Sequence, residues 1–432
     1  MRISTLLLIL IFIMRGVPAP AQMKTDHLLE QILNSDKDSL MQHILGHKDK
    51  YRVQIIYTRI DRDATDKPSF QNFYFNTGDS LYYYPASTVK LPLAVLSLEK
   101  LNRIHAAGVN KFTTVQFDSS YAGQKALYKD STAKTGLPSI AQFIRKAFLI
   151  SDNDAYNRMY EFVGQQEINR NLHAHGYPRM RIVRQFMRLS EEENRHTNQI
   201  RFLDKNGRTL FTQPRQYDTD SFDFSRPAFL GKGYLNGKDS LVNEPMNFTR
   251  HNNIPLEDLQ QILQTILFPL SVPENRRFGL TPEDYAFLYR YLSQYPSETP
   301  WPKYDTAVFY DSNVKFFFQN GGRQVPAFIR IFNKAGWSYG CLTDVSYIVD
   351  FRNRIEFMLS ATVYTNEDEI LNDDKYEFDT EGLPFLYQVG QTLYQYDLHR
   401  TRKFSPDLKR FTLKYERRDR GDDRPSIKDV DN

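Results

Sequence analysis

The 432-residue chain has one cysteine, Cys341, and two tryptophans. A single thiol excludes an internal disulfide and any zinc site built on cysteines. A dominant charge sign is lacking as well. The 56 Lys and Arg side chains exceed the 52 Asp and Glu by four, too few to mark nucleic acid as a partner. No glycine-rich phosphate loop, internal repeat or low-complexity block is present, and Gly321-Gly322 fits a turn. Long apolar runs are missing too. The run near the start, Leu6 to Met14, is about half of the ~20 residues that cross a bilayer. What the chain does hold is ordinary globular usage, 41% apolar and 25% charged, with 14% aromatics. That composition excludes a largely disordered protein.

Arg2, the apolar run, Arg15 and the Ala19-Pro20-Ala21 ending read as a secretory signal peptide over 1–21, cut after Ala21. The mature chain is expected to be exported, secreted or periplasmic, without a membrane span. With one cysteine, its stability rests on packing rather than disulfides.

Helical spacing recurs over 24–46, from Pro85 through Leu101, and over 139–148, 154–164, 256–268, 281–294 and 384–398. Alternation marks a strand over 51–60, and 70–75 and 81–84 also have strand character. Three β-rich runs at 327–333, 341–351 and 355–364 suggest an antiparallel meander. Inside 190–240, Asn206-Gly207 lies between two β-prone runs and signals a hairpin. The expected class is α+β, an antiparallel sheet flanked by helices plus a helical lobe. Residues 22–86 and 305–402 are expected to form a discontinuous α/β lobe. Residues 87–304 form the helical lobe with an insert at about 190–240, and 403–432 a charged, solvated C-terminal tail. A site is expected in the crevice between the lobes.

Ser-x-x-Lys occurs four times, at Ser87/Lys90, Ser97/Lys100, Ser131/Lys134 and Ser312/Lys315. Context separates the first, which follows Tyr84-Pro85-Ala86 and opens the apolar run Leu91 to Leu96. Residues three apart share a helix face, so the amine can meet the hydroxyl. Apolar flanks desolvate the lysine and favour a neutral, proton-accepting amine. A helix start also offers free N–H groups to an oxyanion. Taken alone, the pair fits an N-cap serine and a surface lysine as well. Ser151-Asp152-Asn153 fits a turn or cap, but it also offers a hydroxyl to relay a proton and an amide to hold one. In Lys334-Ala335-Gly336-Trp337, Gly336 lets a ligand backbone approach a strand, and Lys334 can face a carboxylate. A solvent-facing lysine beside a bend is the plainer reading. His173 and His175, two apart, give no metal site. Cys341 reads as a buried thiol, and Tyr82 to Tyr84 and Phe316 to Phe318 as packing.

In this order the three elements resemble the motif set of class A β-lactamases and penicillin-binding proteins, the β-lactamase-like serine hydrolases. Ser151 to Asn157 is similar to the family's Ser-Asp-Asn-x-Ala-x-Asn, and Lys334 to Val345 resembles its third motif and next strand. The likeness covers roughly 50–185 and 255–400. It implies Ser87 as the acylated nucleophile, Lys90 as its proton acceptor and Ser151 as the relay to the departing nitrogen. By the same resemblance the backbone N–H groups of Ser87 and Trp337 form the oxyanion hole. Asn153, Lys334 and Gly336 bind substrate, and Asn157 pins the loop beneath the site. No cofactor or metal is implied. The partner is a small β-lactam or peptide-like amide, and the chain a monomer.

Two departures stand out. Ala335 occupies a position where the family has Thr or Ser, deleting a hydroxyl directed at the substrate carboxylate, a bond worth roughly 1.5–3 kcal/mol. The family's deacylating glutamate follows an Arg-Leu-x-Arg-like stretch. Arg181-Ile182-Val183-Arg184 fits that stretch, and the count then falls on Phe186. Glu191, Glu192 and Glu193 read as a solvated face. Glu244-Pro245-Met246-Asn247 mimics Glu-Pro-x-x-Asn but is one residue short, leaving Glu244 as a candidate base. The expected activity is opening of a β-lactam amide through a Ser87 acyl-enzyme. Without a base for water the acyl-enzyme persists, as in penicillin-binding proteins. An acyl-serine peptidase or amidase, or a non-catalytic scaffold on the same fold, are the alternatives.

Overall fold

The structure, a computed structural model, describes residues 23–78, 81–121, 124–419 and 421–429. The leader expected at 1–21 lies outside the described residues. Helices α1 (His27–Ser35) and α2 (Ser39–Gly46) lead into strands β1 (Gln54–Arg62) and β2 (Pro68–Phe75). A 3₁₀ turn, Ala86–Val89, opens α3 (Lys90–Arg103), and β3 (Thr114–Phe117) separates it from α4 (Ile140–Leu149), α5 (Asn153–Val163) and α6 (Gln165–Ala174). The one-turn α7 (Glu191–Asn194) precedes β4 (Ile200–Leu203) and β5 (Thr209–Gln213). Four short strands follow, β6 (Phe229–Leu230), β7 (Gly233–Leu235), β8 (Leu241–Val242) and β9 (Met246–Asn247). Then come α8 (Leu256–Leu267), α9 (Pro282–Ser293), α10 (Phe316–Gln319) and the long strands β10 (Ile329–Ser338), β11 (Cys341–Asp350) and β12 (Ile355–Tyr364). Strand β13 (Ile370–Leu371) and helix α11 (Leu383–His399) come last.

The main sheet is antiparallel throughout, in the order β10-β11-β12-β1-β2. Every residue of β11 and β12 is buried, so both faces of the sheet are covered. Successive side chains on a strand point to opposite faces, and β11 divides accordingly. Val345, Tyr347 and Val349 join the core shared with α3, α4, α5, α8 and α9. Leu342 and Ile348 join the core shared with α1, α2 and α11. The β10–β11 turn closes between Ser338 and Cys341. Tyr339 and Gly340 both take positive φ (51° and 74°), as a two-residue turn matched to strand twist requires. Helix α3 is buried nearly all round, as suits a central helix. Each fully buried Leu or Val on it contributes roughly 1.5–3 kcal/mol.

The α+β class expected from the sequence is the one found. Three details differ. Residues 81–84 form no strand; Tyr83 and Tyr84 pack into a third, smaller core instead. The Asn206-Gly207 hairpin is present as β4–β5, with β3 as its third strand. The insert runs past 240, because β6 pairs with β9, and β7 lies between β8 and β13. The tail is the larger correction. It is a packed strap, not a solvated extension. Leu408 and Phe411 are buried in the helical core, and Tyr415 lies 3.9 Å from the Arg330 guanidinium. Glu416 accepts from Arg145 at 3.0 Å, from the Tyr291 hydroxyl at 3.1 Å and from Gln294 at 2.9 Å. Composition alone misleads here because the tail's charges meet fixed partners and alternate with a few deeply placed rings.

Candidate active site

The site begins at the 3₁₀ turn before α3. Ala86 holds φ +44°, a region that non-glycine residues rarely enter and that marks local strain. Strand β10 lies directly against this turn. A Cβ on Gly336 would stand 2.7 Å from Ser87 N and 2.8 Å from Thr88 N, so only glycine permits the approach. Lys90, the first residue of α3, is fully buried. Its Nζ donates to Ser87 Oγ at 2.7 Å, to Ser151 O at 2.5 Å and to Asn153 Oδ1 at 2.8 Å, with Ser151 Oγ at 3.3 Å.

Ser151 sits between α4 and α5 at φ +62°. Its turn is held by Asp152, which accepts the Ala155 N–H at 2.7 Å and lies 3.4 Å from Lys146. Burial raises the Asp152 pKa, and Lys146 opposes that. From the sheet side, Lys334 Nζ donates to Ser151 Oγ at 3.0 Å and to Ala335 O at 2.5 Å. Burial pushes the Lys334 amine down to about 7; Asp344 resists the shift and Lys315 adds to it. Ser87 Oγ, Lys90 Nζ, Ser151 Oγ and Lys334 Nζ thus form one hydrogen-bonded chain drawn from three distant segments. Such a chain can take a proton from one hydroxyl, hold it on an amine and deliver it through a second hydroxyl.

Beneath the chain, the Asn157 side chain accepts the Phe186 N–H at 2.8 Å. The Phe186 ring stacks on Tyr156 at 4.4 Å, and Lys90 Nζ lies 5.2 Å from the centre of the Phe186 ring. An aromatic face therefore borders Lys90 at the position where the count along the chain places a carboxylate in the resembling family. The nearby glutamates are engaged elsewhere. Glu191 pairs with Arg250 at 2.9 Å, Glu192 with His196 at 3.3 Å, and Glu193 caps its own helix. Glu244 is exposed between β8 and β9. Among the described residues no hydrogen bond or ion pair joins Glu244 to Ser87, Lys90 or Ser151.

Trp337 stands at the lip, 41% exposed, with Phe316 packed edge-on at 5.8 Å. Farther along, Tyr84, Tyr339 and Phe248 pack edge to face or tilted at 4.9–5.5 Å. His251 joins them, held neutral as burial, Arg184 and Arg181 push it down to about 4. Sequence reasoning missed Phe248 and His251 in this wall; nothing local marks residues that arrive from the end of an insert. The other Ser-x-x-Lys pairs serve the framework. Ser97 bonds back to Leu93 O, while Lys100 bonds Val163 O and Glu167. Lys315 bonds Leu292 O and Ile331 O, and Ser131 and Lys134 are exposed. Among the described residues no group of three His, Cys, Asp or Glu side chains could hold a metal ion.

No curated protein matches the chain. Solved structures with similar folds include a β-lactamase from Xanthomonas campestris, at 13% identity and a TM-score of 0.45 over 87% of this chain and 99% of that one. A β-lactamase from Desulfarculus baarsii is 14% identical, with a TM-score of 0.45 over 84% and 97%. An ancestral class A β-lactamase is 15% identical, with a TM-score of 0.44 over 83% and 100%. The sequence model of the β-lactamase enzyme family matches residues 41–217, a stretch that holds Ser87, Lys90, Ser151, Asn153, Asn157 and Phe186. Over that stretch the chain is similar to the β-lactamase enzyme family.

Proposed function

We propose that the chain is a serine hydrolase that opens an amide C–N bond through an acyl-enzyme on Ser87, with a β-lactam as the first substrate class to test. The observation that carries this reading is the 2.7 Å bond between Lys90 Nζ and Ser87 Oγ, on a lysine with no exposed surface. In its unprotonated form the Lys90 amine takes the Ser87 proton as Oγ bonds to the carbonyl carbon. The backbone N–H groups of Ser87 and Trp337 receive the oxyanion. As the C–N bond breaks, Ser151 accepts a proton from Lys90 and gives its own to the departing nitrogen. Lys334, bonded to Ser151 Oγ, keeps that hydroxyl in line, and Asn153 stands where an acyl side-chain amide can reach it. Export through the leader at 1–21 belongs to the same reading.

One observation favours a second outcome for the acyl-enzyme. With Phe186 beside Lys90, no carboxylate activates water there, so the adduct persists as in a penicillin-binding protein. A chromogenic cephalosporin tests both, with intact mass followed in the wild type and in Ser87→Ala. The expected result is a stable adduct of one acyl group, little colour beyond one equivalent, and neither in Ser87→Ala. Fast turnover would count for a hydrolase whose water-activating base lies elsewhere than at position 186. An adduct that survives in Ser87→Ala would remove Ser87 from its role.

A further inference from the structure

Ser151 can deliver a proton only while its hydroxyl stays between two amines, 3.3 Å from Lys90 Nζ and 3.0 Å from Lys334 Nζ. Its φ is +62°, a region that residues with a Cβ rarely occupy and that the surroundings must impose. The group that imposes it lies behind the turn. Lys146, in the last turn of α4, is 6% exposed. Its carbonyl accepts the N–H groups of Ile150 at 3.2 Å and Asp152 at 3.4 Å. Its Nζ stands between two buried carboxylates, 3.4 Å from Asp152 Oδ2 and 3.6 Å from Asp130 Oδ2. Among the described residues neither of these oxygens accepts a hydrogen bond, so the Lys146 charge is what compensates both. Burial works against that charge, but Asp152, Asp130 and Asp154 outweigh it and raise the amine's pKa. The other Asp152 oxygen caps α5 through the Ala155 N–H at 2.7 Å. Asp152 is thus fixed through both oxygens, and Ser151 is the residue directly before it.

We propose that Lys146 is a positioning residue for the proton relay: anchored by Asp130 and acting through Asp152, it keeps the Ser151 hydroxyl between Lys90 and Lys334, where it can protonate a departing nitrogen. This rests on the reading of Ser87 as nucleophile and Ser151 as proton donor. Two acylating probes isolate the relay, because one needs the proton and the other does not. With benzylpenicillin, Ser87 Oγ bonds to the carbonyl carbon and the C–N bond breaks. The nitrogen takes the Ser151 proton, and Ser151 takes the one that Lys90 removed from Ser87. With the S-benzyl thioester of benzoylglycine, the C–S bond breaks and the thiolate leaves with the bonding pair. The Ser87 proton then stays on Lys90 until water takes it. Both acylations are read by intact mass against time.

Lys146→Met is expected to slow acylation by benzylpenicillin about tenfold to a hundredfold, and by the thioester no more than about threefold. The loss should stay below that of Ser151→Ala, which removes the transferring group itself, an effect of about 10²–10⁴-fold. Asp130→Asn should show the same selectivity at about threefold to tenfold. Asp152→Asn keeps the cap on α5 and drops the charge that faces Lys146. If Lys146 acts through Asp152, the Lys146→Met/Asp152→Asn chain should be no slower than the slower single variant. Lys146→Met leaves two buried carboxylates without their counter-charge. Should it fail to fold, Asp130→Asn and the double variant carry the same comparison. Equal slowing with both probes would make Lys146 a support of the whole site and overturn the proposal. So would an unchanged penicillin rate, or single losses that multiply in the double variant. Acylation of the wild type by neither probe, in a protein with an intact melting transition, would overturn the Ser87 reading, and the relay with it.

Discussion

A phenyl ring cannot take a proton from water, and at position 186 it also occupies the space beside Lys90. Asn157 holds the backbone of residue 186 through the N–H, so a substitution there changes the chemistry without releasing the loop. Phe186→Glu is expected to create turnover. The pre-formed acyl adduct should decay faster by on the order of 10²-fold or more, the usual contribution of a positioned general base. The measurement is loss of adduct mass after removal of excess cephalosporin; an unchanged lifetime would mean that something other than a missing base protects the ester. Lys334 gives a second residue-scale test. Its amine titrates near 7 in the folded chain against an ordinary value of 10.5. Between those values the unfolded chain holds more protons, so stability rises with pH from about 7 to about 10.5, and the penalty is complete below 7. Urea unfolding at pH 7 and 9.5 should show that rise, and Lys334→Met should flatten it. It should not vanish, because burial lowers the Lys315 pKa too.

At the scale of elements, what was legible in the sequence was what local chemistry determines. The Asn206-Gly207 hairpin, the β10–β11–β12 meander and the turn leading into α3 all announce themselves by turn residues and periodicity. Four Ser-x-x-Lys pairs could be ranked from their flanks because an apolar helix start is a local property. That Asn157 pins a loop beneath the site was implied by the resemblance alone, and its partner, the Phe186 N–H, is seen only in the structure. Strand character at 81–84 was misread because three tyrosines have strand propensity; the packing role expected of them holds, but that the rings of Tyr82 and Tyr84 meet Phe248 and Tyr339 is recorded in no local pattern. The contact of β10 with the 3₁₀ turn likewise depends on segments about 250 residues apart. Gly336→Ala tests that contact. The added methyl would meet the backbone of Ser87 and Thr88 at 2.7–2.8 Å, and backbone cannot rotate away. Acylation should fall by about a hundredfold or more. Overpacking of this kind destabilises by about 1–3 kcal/mol, so the melting transition should drop modestly while the protein still folds. Acylation and melting that both match the wild type would show that β10 can slide without consequence.

For the molecule as a whole, the two faces of the sheet are not covered by equivalent means. One is closed by α1, α2 and α11, the other by the helical core, and the chain after α11 crosses back to seal the latter. Phe411 reaches Phe268, Phe332 and Tyr347 there, so the strap joins the residue that caps α8 with β10 and β11 in one cluster. Phe411→Ala should cost about 3–5 kcal/mol in urea unfolding, as large-to-small changes in a packed core do. Tyr415→Ala should cost less, because it removes a ring contact with Arg330 and one hydrogen bond with Ser293. A chain ending at Arg402 loses both, along with the partner that Glu416 provides for Arg145 on α4. That helix ends at Leu149, two residues before Ser151, so the loss should be felt at the site as well as in stability. The truncated chain is expected to unfold at lower urea, and at a temperature where it remains folded it should acylate more slowly than the Phe411→Ala chain. A truncation that matches the wild type in both measurements would make the strap a passenger on the fold.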